Sequence, residues 1–573
     1  MDRRVFLCKT GISGAGLSIL PLLLTGCKNV KPVPESKSWG EQLLGENDLV
    51  VSQLLERQVD DPLSPNYGGI ADSYQIYHPG SAAGFIERLT VSYVSEASAY
   101  FHMDHLVVRM QHTIDFLLKN QHEDGTIDLL TTNFHSTPDT GFVVEPLALS
   151  FKLLDRDGET STGTLRTSLK TFLIKAGKAL QVGGIHTPNH RWVVSMAMAR
   201  IHELFPDSGY ISRIDQWLNE GIDMDTDGQY TERSTAVYSP LTDRCLITIA
   251  TILKRPYLLD PVRKNLDMTM YYIHPNGEIA TEASRRQDQY LARTPEAYYY
   301  PYRFLAMKEN NPQFGGMVQL LEENIGAAGL SRYLAYLLEH PEISGYYIQG
   351  PLPDNYEKFF QASDLVRIRR GLYDATVLGK NSALFTFSHS GAVLQAVRMA
   401  TAFFGKGQFV ADEIKKEGSK YVLTQDLGGP YYQPIDEDLI AADGSWEKMP
   451  RDQRPQSEIQ KINYALEVVE IDQGFQLSFS AEGTDRVPVA IEMSFRKGGV
   501  LQGGKEIDGL SDAFMLSEDA VTYQYDEAAI QISGALHQHD WTQLRGAEER
   551  VDGVTVYLTG FTPFRHQVTI KAV

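Results

Sequence analysis

The segment TDGQYTERSTAVYSP, residues 226–240, brings a turn-forming Asp227-Gly228, a carboxylate at Glu232 and a phenol at Tyr238 into one short span, where an apolar helical pattern begins. About fifty residues earlier, Asn189-His190-Arg191 lines up an amide, an imidazole and a guanidinium at the start of another such pattern, a place where backbone N–H groups also favour an anion. About fifty residues later, ASRRQD supplies Arg285 and Arg286, and upstream HSTPDTGF carries His135 and Asp139.

These are the groups needed to break a sugar chain beside a uronic acid by β-elimination. The proton to be removed lies next to a carboxylate, and that carbon is a poor acid while the carboxylate keeps its charge. Amide, imidazole or guanidinium donors must therefore bind the acid group and stabilise the charge that develops. A base must reach the carbon and an acid the leaving oxygen, and a tyrosine beside cations can serve as both. On this reading Tyr238 moves protons, Asn189 and His190 mask the acid, and His135, Asp139, Arg191, Glu232, Arg285 and Arg286 hold substrate, with one of the two adjacent arginines in the site. The chemistry requires no metal and no cofactor. Plainer roles stand beside these: Asn189 as the cap of a helix starting at His190, Tyr238 as a packed aromatic, and the two arginines as a solvated helix end.

The elements that must position these groups are helical. Over residues 39–345 apolar residues recur at three-and-four spacing, predicting helices near 95–120, 144–154, 165–180, 190–205, 211–218, 237–253, 261–273 and 295–308. Asp139, Asn189, Tyr238 and Arg286 are spaced 50, 49 and 48 residues apart, about the length of two helices with their loops. In a ring of helical hairpins that period returns the chain to one mouth each time. Tyr298, Tyr299, Tyr300 and Tyr302 suit either a sugar-stacking groove or helix packing. Over residues 346–573 the pattern changes to short alternating runs near 382–387, 464–471, 475–479, 488–495, 522–525 and 554–559, separated by glycines, which predicts stacked antiparallel sheets. His537 and His539 would share one strand face with Asp540 nearby, but no third metal ligand is evident.

A chain of 573 residues, 42 % apolar, is long enough for two substantial domains. Its net charge of −20 argues against nucleic acid as a partner and requires a locally basic groove for any polyanion. Residues 1–27 read as an address: Arg3-Arg4-Val5-Phe6-Leu7 is a twin-arginine pattern, the apolar run 12–24 is short for a membrane span, and Leu24-Thr25-Gly26-Cys27 resembles a bacterial lipobox. Residues 28–38 then form a tether. The expectation is an exported lipoprotein, periplasmic or anchored to the outer membrane of a Gram-negative bacterium, touching membrane only through its lipid. Cys245 would be the one cysteine left, so no disulfide framework can form.

NHRWVVSMAMARIHELFP followed by DTDGQYTERSTAVY resembles the heparinase II/III-type polysaccharide lyases. The resemblance implies an incomplete (α/α) toroid followed by an antiparallel β-sandwich, an asparagine and histidine that neutralise the uronate (Asn189, His190), a tyrosine that handles protons (Tyr238), and a histidine from the β domain, for which His389 in LFTFSHSGAVLQAVRM is the match. It implies an acidic polysaccharide or oligosaccharide as substrate. Two other functions fit the same architecture: a toroidal glycoside hydrolase acting on unsaturated uronides with Asp139 and Glu232 as paired carboxylates, and a surface lipoprotein that only binds glycans.

Overall fold

The computed structural model describes residues 37–345 and 347–573. The twin-arginine and lipobox segments lie outside the described residues, as does most of the tether.

Helices fill the first half: α1 (Trp39–Arg57), α2 (Pro79–Val94), α3 (Asp104–Asn120), α4 (Thr137–Asp157), α5 (Gly163–Val182), α6 (Pro188–Leu204), α7 (Ser208–Asn219), α8 (Tyr238–Ile252), α9 (Leu259–Thr269), α10 (Tyr299–Glu309), α11 (Pro312–Leu330) and α12 (Leu334–Glu339). Helices α2, α4, α6 and α8 pack one against the next, and α3, α5 and α7 back them. Burial follows that arrangement. The inner α6 is buried without a break from Arg191 to Ile201, whereas the outer α7 buries only Tyr210 and Ile214 and turns the rest of its surface outward. The predicted helix at 95–120 begins only at Asp104, because residues 95–103 form turns closed by Ser98 N–H to the Ser95 carbonyl and His102 N–H to the Tyr93 carbonyl. The run of tyrosines is core: Tyr298, Tyr299, Tyr300 and Tyr302 are all buried, with Tyr298 donating to the Thr235 carbonyl and Tyr302 to the Leu266 carbonyl at 2.8 Å each.

The second half is two stacked sheets. One contains Asn355–Phe360, Leu365–Arg370, Tyr373–Leu378, Phe385–His389, Ala392–Thr401, Pro488–Phe495 and Val554–Phe561; the other contains Lys420–Tyr432, Gln456–Ile471, Gly474–Gly483, Phe564–Ala572, Ala528–Ser533 and Ala520–Tyr525. Among the strands of the described residues pairing is antiparallel apart from the short strand Ala513–Met515 beside Val554–Phe561, with isolated parallel bridges at Lys497–Gly499 and His537–Thr559. Ala392–Thr401 is buried at every position, since its sheet has helical-domain loops on one face and the partner sheet on the other. Gln456–Ile471 alternates, so its sheet has one face in water.

At the seam between helices and strands lies a buried ionic group. His274 donates through Nδ1 to Asp374 Oδ2 at 2.8 Å, Arg367 reaches the same carboxylate at 2.8 Å, and Glu282 stands 3.5 Å from His274 Nε2, a charge contact rather than a directed hydrogen bond. Burial alone would lower the His274 pKa, but Asp374 and Glu282 outweigh it and raise it to about 9. A histidine charged in the folded state and near 6.5 when unfolded stabilises fully below pH 6.5, and that contribution is lost as pH rises through 9. Thermal melts should therefore show stability falling between those values by on the order of 3 kcal/mol, and His274→Gln should lower stability at pH 6 and flatten the slope. An unchanged slope in the variant would contradict a charged His274.

Candidate active site

Three inner helices begin at one mouth, and their first turns carry the residues spaced fifty apart. Asp139 is the third residue of α4, Asn189 the second of α6 and Tyr238 the first of α8. The mouth is tied together side chain by side chain. Asn189 Nδ2 donates to both oxygens of Glu232 at 2.9 and 2.8 Å, and its backbone N–H donates to the same carboxylate at 3.1 Å. Glu232 thus acts as the anion at the positive end of α6. Asn189 is therefore not the helix cap; Thr187 occupies that position. The Asp227-Gly228 turn forms because Asp225 Oδ1 accepts three successive N–H groups, from Asp227, Gly228 and Gln229. Gly228 has φ +103°, and a Cβ there would lie 2.5 Å from the Lys264 carbonyl oxygen.

The loop before Tyr238 is fixed by the loop carrying Arg286. Asp288, 1 % exposed, accepts from Ser234 Oγ at 3.0 Å, Ala236 N at 3.0 Å and Ser284 Oγ at 2.9 Å. Ser234 Oγ in turn accepts from the Tyr238 N–H at 3.1 Å, and Thr235 N donates to Ser284 Oγ at 3.0 Å. Both loops are also held by the strand domain. Ser363 donates to Asp225 and Asp227, Arg233 donates to the Ser363 carbonyl, and Arg285 donates to the Lys380 carbonyl.

Arg286 joins the phenol to the other expected groups, lying over Tyr238 and beside Glu232, which holds Asn189. Tyr238 is half-buried, and its hydroxyl oxygen accepts from Gln287 Nε2 at 2.5 Å. The Arg286 guanidinium lies 5.3 Å from the Tyr238 ring centroid and its Nε is 3.5 Å from Glu232. Burial, with His186 and Arg286 nearby, lowers the His190 pKa to about 4 despite Asp139, so this imidazole is neutral at neutral pH. His190 Nδ1 and Asn189 Oδ1 are both buried without a hydrogen-bond partner. Asn189 thus differs from expectation in one respect: its amide hydrogens are taken by Glu232 and Thr187 Oγ1.

The remaining expected groups are committed elsewhere. Arg191 stacks on Trp192 and bonds Asp223 at 2.7 Å and Glu220 at 3.2 Å. Arg285 belongs to the seam. His135 stacks on His122, bonds Asp124 at 2.8 Å and is largely exposed. Asp139 closes the start of α4, accepting from Ser136 Oγ and Asn133 Nδ2. His389 faces away: on its sheet Asp374 pairs with Ser388 and Tyr373 with His389, so His389 lies opposite the Asp374 face that meets the helices, and its Nδ1 contacts the Ala529 carbonyl of the second sheet. His537 pairs with Asp540 and His539 with the Gly560 carbonyl. Gln287 and Asp288 were missed as site residues, although ASRRQD ends on them.

No protein-family model and no curated protein sequence matches the chain. Solved structures do. Heparinase III superposes with a TM-score of 0.54 at 13 % identity, over 95 % of this chain and 86 % of that one. The Streptomyces coelicolor A3 chondroitin AC lyase in complex with chondroitin sulphate gives 0.55 at 14 % identity, over 96 % and 80 %. The fold is that of the heparinase-type polysaccharide lyases. A Paenibacillus xanthan lyase shares it at 0.56 and 9 % identity, with 94 % of this chain spanning 58 % of that longer one. The heparinase-type architecture therefore covers nearly the whole chain, both the helical ring and the sheets.

Within that fold, Asp288 is what holds the tyrosine loop. Asp288→Ala leaves two hydroxyls and a buried N–H without their acceptor and should cost about 3 kcal/mol in chemical denaturation, with activity falling as the Tyr238 loop loosens. A loss below about 0.5 kcal/mol, typical of a surface change, would remove Asp288 from this role.

Proposed function

We propose that the protein cleaves a uronate-containing polysaccharide by β-elimination, with Tyr238 transferring the protons. The observation that carries this reading is the phenol at the ring mouth, with an amide donor on its oxygen, the Arg286 guanidinium over its ring and, within the field of that guanidinium, a neutral imidazole with an unpartnered nitrogen. In the reaction the ionised phenol takes the hydrogen alpha to the carboxylate. A C=C bond forms, the bond from carbon to the leaving glycosidic oxygen breaks, and the proton passes to that oxygen; no water is consumed. Arg286 and His190 mask the carboxylate as charge accumulates on it. Glu232 is a positioning residue that holds Asn189 and draws Arg286 to the mouth.

The similarity to structures named heparinase, chondroitin AC lyase and xanthan lyase supports a polysaccharide as the substrate. Hydrolysis by Asp139 and Glu232 gains no support from the geometry, because each carboxylate is engaged in holding a helix start. The twin-arginine and lipobox patterns support an exported, lipid-anchored enzyme.

Incubation with uronate glycans should generate the ultraviolet absorbance of an unsaturated uronate. Tyr238→Phe should reduce its rate by about 10²–10⁴-fold with the melting temperature unchanged. Near-normal turnover in the variant would exclude Tyr238 as the proton carrier.

A further inference from the structure

At the end of the ring away from the mouth, α8, α9, α10 and the turn Pro341–Ile343 border a cavity of about 550 Å³, within the range of small-ligand pockets. Ala250 and Thr251 line it, about 20 Å along α8 from Tyr238. The elimination chemistry therefore does not reach it.

Its buried lining is apolar. Leu259, Phe304 and Ile343 are buried there, joined by the half-buried Met307, whose thioether chain adapts to the shape of a guest. The walls are fixed without a ligand. Arg303, 3 % exposed, donates to the carbonyls of Ile343, Ser344 and Gly345 at 2.8, 3.1 and 3.2 Å and to Glu322 at 2.6 Å, which ties the turn to α10.

The charged part of the lining is cationic. Lys254 and Lys308 both line the cavity and are exposed, and neither makes an ion pair or a hydrogen bond with a described residue. The Lys308 ammonium lies 5.8 Å from the Phe304 ring centroid. The one carboxylate in the lining, Glu342, is already bonded to His340 at 3.1 Å. Arginines of the same region are paired, Arg255 with Asp215 and Arg263 with Asp260 and Glu309. In a chain of net charge −20 two unpaired cations at one cavity are a local excess. Lysines near helix C-termini commonly serve the dipole, but here the terminal carbonyls have other donors: Leu253 and Arg255 N–H bond Ile249 and Ala250, and Asn310 and Asn311 N–H bond Ala306. The ammoniums are left for a guest.

We propose that this cavity binds an amphiphilic anion, an apolar tail carrying one anionic head, of which a medium-chain carboxylate is the simplest. The tail displaces water from Leu259, Phe304, Met307 and Ile343, and the head meets the ammoniums of Lys254 and Lys308. Nothing in this assignment rests on the lyase reading.

The test uses binding alone. By ligand-observed NMR, octanoate should bind the wild-type protein with a Kd below about 1 mM, 1-octanol at least about tenfold more weakly, and acetate not at all. Lys254→Gly combined with Lys308→Gln removes both cations. Lys254 has φ +54°, which glycine adopts without strain, and glutamine matches lysine in helix propensity, so the melting temperature should hold. Octanoate affinity should fall at least about tenfold in this variant while 1-octanol binding is unchanged. Thr251→Trp, at an exposed position of α8 that lines the cavity, should fill the space and abolish binding of both. No binding of octanoate, equal affinity for octanoate and 1-octanol in the wild type, undiminished octanoate affinity in the double variant, or octanoate binding that survives Thr251→Trp would each overturn the assignment.

Discussion

One buried carboxylate sets the geometry on which the mouth depends. Asp288 gathers two hydroxyls and a backbone N–H from loops that are far apart in sequence, and through Ser234 it fixes the backbone where α8 begins. A buried acceptor of this kind is costly to leave unsatisfied and valuable when satisfied. The tyrosine loop therefore cannot relax without stranding polar groups. The strand domain reinforces the arrangement by gripping both loops through Ser363 and Lys380, and the His274–Asp374–Arg367 group holds the seam.

The second constraint is charge. In a chain of net charge −20 any anion must be met by local cations, and near the mouth most cations are paired and one is spared. Arg191 is committed to Asp223 and Glu220, and Arg285 to a backbone carbonyl, while Arg286 lies over the phenol with only a 3.5 Å ion pair to Glu232. Glu232 in turn orients Asn189 by taking its amide hydrogens. The result is a cation over the phenol with a neutral imidazole near that cation.

Much of this was legible in the sequence because it follows from helix length. Asp139, Asn189 and Tyr238 recur at about fifty residues since each stands in the first turn of an inner helix, and a helical hairpin is that long. The strand 488–495 was readable to the residue from its alternation and glycine boundaries. What could not be read was partner choice. Nothing local tells that Asn189 would spend its amide on Glu232, or that Asp288 rather than Arg285 would serve the tyrosine loop, because those bonds are decided by tertiary approach. His389 was misplaced for a similar reason. Side chains alternate along a strand, and only the pairing of Tyr373 with His389 reveals that its imidazole faces the second sheet.

The central claim is that the mouth removes a proton and expels a sugar without water. Digestion of uronate glycans in heavy-oxygen water, with the products weighed by mass spectrometry, tests it most directly. Elimination predicts unsaturated products that carry no heavy oxygen. One heavy oxygen in every newly formed end would mean hydrolysis and would contradict the account.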